Sequence, residues 1–366
     1  MSSGCEMEES GCGASRVLEV SMLGLLPMAL KAALELKVLE ILAQHAEAEG
    51  GYLSASQIAS HMAERTAPLE EAAMALDRIL RVLASYGLLQ ASTTTRVEGG
   101  NERRCRYGLT PTSSHFLLSS SVRSIAPLVL LQQHPVFLQA YGEFQQAVLQ
   151  GGYLCAKVHG VDGFSLIRTD AKLKQLFHDA MSSFSQMVMT DVLATYTGFQ
   201  ALAGRLVDVG GGHGTCLSLI TSKYPHIKAI NFDLPHVVAG APAHPGIEHV
   251  GGDMFETIPT GENIFMKHIL HNWGDEQCLN ILKNCHKSLP SNGKVILLEC
   301  LLPEQVEHDT IVRATYLMDL VMLGFCDGGK ERTKHEFEVL SAHAGFSTLQ
   351  AMCNVHGISV IEIYKT

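Results

Sequence analysis

The stretch "RLVDVGGGHGTCLSLI", residues 205–220, runs a short apolar segment into Gly210, Gly211, Gly212 and Gly214 and then into a helix-like pattern. A strand that ends in glycines lets a ligand approach the main chain, and the following helix start offers free N–H groups. Downstream, the same alternation repeats. "IKAINFDLP" reads as a strand ending at Asp233, "GIEHVGGDMF" as one ending near Asp253, "NIFMKHIL" as a third, and "GKVILLEC" as one ending at Glu299, with "DEQCLNILKNCHKSLP" as an intervening helix. Buried strands alternating with helices predict an α/β fold: a mainly parallel, Rossmann-like sheet with helices on both faces. Ligands in such sheets collect beyond the C-terminal strand ends, where Gly210, Gly212, Asp233, Asp253, His271 and Glu299 all fall.

The rest of the chain sets the bounds. It has 366 residues, of which 46% are hydrophobic, enough for two cores. With 27 Lys and Arg against 37 Asp and Glu, the net charge of -10 argues against a phosphate-backbone partner. The one basic cluster, "RVEGGNERRCRYG" (96–108), is interrupted by Glu98 and Glu102 and reads as a solvated hairpin tip. The ten cysteines form no C-x-x-C pair, which suits free thiols and a cytoplasmic setting. Residues 1–16 read as a disordered tail without signal-peptide character. "SMLGLLPMALKAALELKVLEILAQ" is broken by Pro27, Lys31, Glu35 and Lys37, which suits a buried or interfacial helix and no membrane span.

Residues 17–120 predict a mainly helical, winged-helix-like domain. Ser54 is placed as an N-cap, Pro68 opens an amphipathic helix with Leu76, Ile79, Leu80 and Leu83 on one face, and Gly87 stops it before the strand-like "CRYGLT". That helix carries Glu70, Glu71 and Asp77 against Arg78 and Arg81, so packing and dimerisation fit it better than DNA reading. The second domain is expected over residues 121–366.

The glycine turn and Asp233, an acid placed for ribose hydroxyls, would serve either NAD or S-adenosyl-L-methionine. Three details favour the sulfonium. The glycines follow G-x-G-x-G and depart from the dinucleotide G-x-G-x-x-G; Asp208 would repel a pyrophosphate but suit a cationic ligand; and Asp253 with Met254 suits an adenine ring. In "FMKHILHNWGDEQC", His271 lies on the polar loop past the strand and His268 reads as a packed strand histidine. H-x-x-H suggests a metal, but no third ligand follows, so none is expected. A histidine oriented by carboxylates such as Glu299 and Glu331 is the arrangement of a general base.

Taken together, "LVDVGGGHGT", "NFDLPHV", "HVGGDMF", "MKHILHNWGDEQC", "ILLECLLPE" and "GGKERTKHEF" resemble the plant S-adenosylmethionine-dependent O-methyltransferases of the caffeic acid type, over nearly the whole chain. The resemblance implies a homodimer through the N-terminal domain and metal-free methylation of a phenolic hydroxyl of a phenylpropanoid, leaving S-adenosyl-L-homocysteine. Carried across, Gly210, Gly212, Asp233, Leu234, Asp253, Met254 and Lys267 hold the cofactor, His271 takes the proton, and Glu299 and Glu331 flank its ring. The acceptor slot implied is Leu131, Gln132, Phe177, Met181, Asn272, Met322 and Cys326. Caffeate-type members often carry Asn at the positions of Gln132 and Cys326 and Asp at that of Asn272, which leaves a flavonoid, stilbene or phenolic alkaloid as alternative acceptors.

Overall fold

The computed structural model describes residues 3–94, 104–117 and 124–366, with side chains omitted for 3–12, 94 and 104. The chain forms two compact units, Met1–Gln133 and His134–Thr366.

In the first unit, helices α1 (Ser3–Met22), α2 (Leu25–Glu35), α3 (Val38–His45), α4 (Ala55–Ser60), α5 (Leu69–Ser85) and α6 (Ala126–Gln132) accompany a three-stranded sheet. Its strands are β1 (Leu53–Ser54), β2 (Leu89–Thr94) and β3 (Arg104–Leu109), in the order β1-β3-β2. Ser54 caps α4 in a full capping box with Gln57, and Leu76, Leu80 and Leu83 of α5 are buried. Beside them, Asp77 accepts from the hydroxyl of the buried Tyr107 at 2.7 Å and pairs with Arg81 at 2.6 Å, so Arg81 is already committed within the unit. Arg106 is held by Glu49 at 3.0 Å, while residues 96–103 of the expected hairpin tip (96–108) lie outside the described residues.

Three expectations change here. The tail is helical from Ser3, in keeping with the helix-favouring Glu6, Glu8 and Glu9 in its sequence. The apolar run after it is not one helix: Lys37 adopts φ 55° and separates α2 from α3. The unit also extends past residue 120 to Gln133, because α6 places Ala126 in its core with Val129 and Leu130 against it.

The second unit opens with helices α7 (Pro135–Tyr141), α8 (Phe144–Gln150), α9 (Leu154–His159), α10 (Gly163–Thr169) and α11 (Ala171–Thr195). Then come β4 (Arg205–Val209), α12 (Thr215–Lys223), β5 (Lys228–Asp233), α13 (Pro235–Val238), β6 (Ile247–Gly251), β7 (Asn263–Lys267), α14 (Asp275–Ser288) and β8 (Lys294–Leu302). The chain closes with α15 (Thr310–Phe325), β9 (Arg332–Thr333), α16 (Lys334–His343), β10 (Thr348–Val355) and β11 (Ile358–Tyr364).

The sheet runs β10-β11-β8-β7-β4-β5-β6, parallel from β8 to β6, with β9 beside the end of β8. Both faces are covered, which is why Ile264–Met266 of β7 and Val295–Leu298 of β8 read as apolar runs. Ile264, Met266, Val295 and Leu297 join α14 and α16 on one side; Phe265, Ile296 and Leu298 join α11 and α12 on the other. The sequence reading does not include the antiparallel hairpin β10–β11, whose second strand pairs with β8 in register from Ile358↔Cys300 to Tyr364↔Lys294.

Candidate active site

The glycine turn sits between β4 and α12. Gly210 donates its N–H to the Phe232 carbonyl at 2.8 Å, and a Cβ there would strike Ile269 Cδ1 at 2.4 Å. Its φ of +73° is what requires glycine there, since the Ile269 tip can swing aside. Gly212, with φ +56°, likewise needs glycine for its backbone, and a Cβ there would meet nothing within 4 Å. Asp233, at the end of β5, accepts from Gly212 N at 2.8 Å and from Leu234 N at 2.7 Å. These bonds orient its carboxylate and leave further lone pairs on it, and the Leu234 side chain beside it is exposed. Burial moves the Asp233 carboxyl upward despite those two donors.

Asp208 lies beneath this turn, 2% exposed, with Oδ2 unpartnered among the described residues. Burial, reinforced by the Asp233 charge and opposed by Lys267, pushes it up to about 8. A buried acid in this state is relieved by a cationic ligand. Asp253 ends the next segment and accepts from Phe255 N at 2.9 Å, while Asn284 donates to the Met254 carbonyl at 2.9 Å. Lys267, the last residue of β7, lies 4.8 Å from the Phe184 ring centroid, and burial lowers its ammonium.

Beyond Lys267 the chain turns through His268, at φ 54°, into a single 3-10 turn, Leu270–Asn272, that carries His271. Nδ1 of His271 lies 2.8 Å from Oε1 of Glu331, and both residues are buried. Because a carboxylate only accepts, this bond puts the imidazole proton on Nδ1 and leaves Nε2 as the basic lone pair. Burial alone lowers the His271 pKa, but the Glu331 hydrogen bond and the charges of Glu299 and Glu331 outweigh it, and the net shift is upward. Glu299 acts differently from a ring partner. Its Oε1 accepts from Ile269 N at 3.0 Å and Leu270 N at 2.8 Å, so it holds the turn rather than the imidazole. Burial raises it to about 6, with the His271 charge pulling the other way.

Arg332, fully buried, is a site residue that the sequence reading does not include. It donates to the Leu270 carbonyl at 3.0 Å, the Trp273 carbonyl at 2.8 Å and Asp275 Oδ1 at 2.7 Å, bracketing the turn on both sides of His271. Its neighbour Glu331 is fixed in turn by Asp319, which accepts from Glu331 N at 2.8 Å.

The acceptor candidates divide between the units. Leu131 and Gln132 lie on α6 of the first unit. In the second, Phe177 and Met181 lie on α11, and Met322 and Cys326 lie on α15 and at its C-cap. Cys326 Sγ reaches Asn272 Oδ1 at 3.3 Å, and Asn272 donates to the His268 carbonyl at 2.9 Å. The sequence reading also omits Phe164, whose ring contacts Phe177 at 6.4 Å, Phe325 at 5.2 Å and Trp273 at 6.5 Å between centroids. The sequence also offers no third donor for His268 and His271, yet the fold brings Glu331 to them, with donor atoms within 4.8 Å of one another.

A parallel sheet with a glycine turn over a buried acid, further acids at successive strand ends and a carboxylate-bound histidine on the next loop defines an S-adenosylmethionine-dependent methyltransferase. Residues 141–347 match the O-methyltransferase domain family and residues 19–119 the O-methyltransferase dimerisation domain, and the chain belongs to this O-methyltransferase family. It is 44% identical to a caffeic acid 3-O-methyltransferase of Prunus dulcis over 348 residues, 95% of this chain and 93% of that one. It is 42% identical to an esculetin O-methyltransferase of Kitagawia praeruptora over 360 residues, 98% of this chain and 96% of that one. The crystal structure of human N-acetylserotonin methyltransferase with its methyl donor superposes with TM-score 0.79 at 24% identity, covering 96% of this chain and 97% of that one. Among the described residues, no single helix is long and apolar enough to cross a membrane.

Proposed function

We propose that this enzyme methylates a phenolic hydroxyl of a phenylpropanoid of the caffeate type, as a homodimer built through its first unit and without a metal. The acceptor class rests on the relatives, whose named acceptors, caffeic acid and esculetin, both carry neighbouring phenolic hydroxyls. The chemistry rests on one observation above the others, the 2.8 Å contact between His271 and Glu331.

Gly210, Gly212, Asp233, Leu234, Asp253, Met254 and Lys267 would hold S-adenosyl-L-methionine, and the unpartnered Asp208 carboxyl supplies the negative charge that a cationic donor requires. When bound, the donor supplies an electrophilic methyl and leaves as S-adenosyl-L-homocysteine. A phenol has a pKa near 10, so only about one in a thousand is ionised at neutral pH. His271 Nε2 accepts that proton as the oxygen attacks, and Glu331 stabilises the imidazolium through Nδ1. Such assistance is worth about 10²- to 10⁴-fold. Phe177, Met181, Asn272, Met322 and Cys326 of the second unit would shape the acceptor site.

A second acceptor class, a flavonoid, stilbene or phenolic alkaloid, is favoured by the Cys326–Asn272 contact, which occupies groups that would otherwise address a ring substituent. A labelled-methyl assay with a panel of catechols, flavonoids, stilbenes and phenolic alkaloids, run with a chelator, decides between them. Label in caffeate or a close catechol supports the first reading; label confined to the other classes replaces it. Loss of transfer on adding the chelator removes the metal-free mechanism.

A further inference from the structure

We propose that His268, His271 and Glu331 form an inhibitory site for a divalent transition metal of the zinc class. Their donor atoms lie within 4.8 Å of one another, and His268 Nε2 and Glu331 Oε2 are both buried without a hydrogen-bond partner among the described residues. A third such atom, Glu299 Oε2, lies on the residue that holds the same turn. Buried polar atoms in folded proteins are almost always satisfied, so unpartnered acceptors gathered around one imidazole mark a place that an electron-pair acceptor would fill. Two imidazoles and a carboxylate are donors that zinc takes, at bonds of about 2.0–2.2 Å. Tetrahedral ligands at such bond lengths lie about 3.3–3.6 Å apart, so side-chain rotation must draw the most distant pair together by about 1.5 Å at most. The two carboxylates, Glu299 and Glu331, offset the charge of a dication.

The consequence is the same whichever nitrogen of His271 binds. Metal at Nδ1 displaces the hydrogen bond to Glu331 and leaves the ring proton on Nε2, which then cannot accept another. Metal at Nε2 occupies the basic lone pair itself. Either way the ring can no longer take a proton from an acceptor hydroxyl. His268 has no part in the methyl transfer, so the two roles can be separated by substitution.

Binding stands independently of the proposed reaction, whereas inhibition rests on it, and the test reads both. The full chain is titrated with cobalt(II), followed by its visible absorption, and zinc is added as competitor. Zinc inhibition of labelled-methyl transfer is then measured for the parent and for His268→Asn and His268→Gly, both of which tolerate the left-handed backbone at this position. Expected are one ion per chain with ligand-field bands free of thiolate charge transfer, and zinc inhibition reversed by chelator. In both variants, metal affinity and zinc sensitivity fall by at least about tenfold, the scale of loss that removing even an outer-shell partner brings. Turnover in chelator stays near the parent's. Parent-like metal affinity in the variants, or a thiolate band pointing to the free cysteines, overturns the proposal even if no methyl transfer is detected.

Discussion

The Cys326 thiol donates to Asn272 Oδ1 across 3.3 Å, joining the end of α15 to the turn that carries His271. The family resemblance marks both positions as departures from the caffeate-type pattern, and this contact ties the two together. Asn272 is committed on its other side as well, since its amide donates to the His268 carbonyl. Substituting either residue therefore disturbs the other. A double-mutant cycle with Cys326→Ala and Asn272→Ala, read on kcat/KM for the preferred acceptor, is expected to show a coupling of about 0.5–1.5 kcal/mol. Additive effects would mean that the contact does not shape acceptor choice.

Glu331 makes the only direct carboxylate contact to His271 among the described residues, and it raises the His271 pKa against the opposing pull of burial. A base works only when unprotonated, so the acid limb of the kcat/KM profile follows this group. Glu331→Gln removes both the charge and the anionic acceptor, and burial then dominates. The limb is expected to move to lower pH while kcat on the plateau drops, because the imidazolium formed in the reaction loses its partner. A profile measured in chelator that leaves the limb in place would assign it to another group.

Asp208 offers a test that does not depend on turnover. With its carboxyl held up at about 8, it is mostly protonated at pH 7 in the free enzyme. A cationic ligand favours the ionised form, so binding releases a proton, and affinity rises with pH until it levels above about 8. Titration calorimetry of S-adenosyl-L-methionine in buffers of different ionisation enthalpy should give buffer-dependent heats that imply release of part of a proton. Asp208→Asn should abolish that dependence. Buffer-independent heats in the parent would show that Asp208 does not face the donor's charge.

What could be read in the chain was local. The strands β4, β5, β7 and β8 announce themselves as short apolar runs because most of their residues are buried, and β4, β5 and β6 are further marked by a glycine or an acid at their ends. The cap at Ser54 and the stop at Gly87 are likewise carried by single residues with strong backbone preferences. The partners of His271 are not local. Glu331 lies 60 positions away, and nothing in the spacing of "GGKERTKHEF" shows that β9 pairs with the end of β8 and delivers it there. The different job of Glu299 was hidden for the same reason, since a side chain that accepts from backbone N–H groups leaves no mark in the residue types around it. Phe164 reads as one aromatic in a helix, and its contact with Trp273 depends on a tertiary approach.

Arg332 separates positioning from chemistry. Its planar guanidinium binds two carbonyls of the His271 turn and a carboxylate at the start of α14 at once, a task that a lysine ammonium on a flexible stem cannot reproduce. In Arg332→Lys the charge stays, but at least one buried carbonyl loses its donor, at about 1–3 kcal/mol. A lower urea midpoint is therefore expected. Because the imidazole keeps Glu331, the pH at which the acid limb falls should not move, whereas kcat should drop as the ring loses its aim toward the acceptor oxygen. Methyl-donor affinity should be preserved, since Asp233 and the glycine turn belong to other strands. The combination of unchanged limb, unchanged donor affinity and lowered kcat marks a positioning residue. If Arg332→Lys instead keeps the parent's kcat and urea midpoint, the turn is held by Glu299 alone.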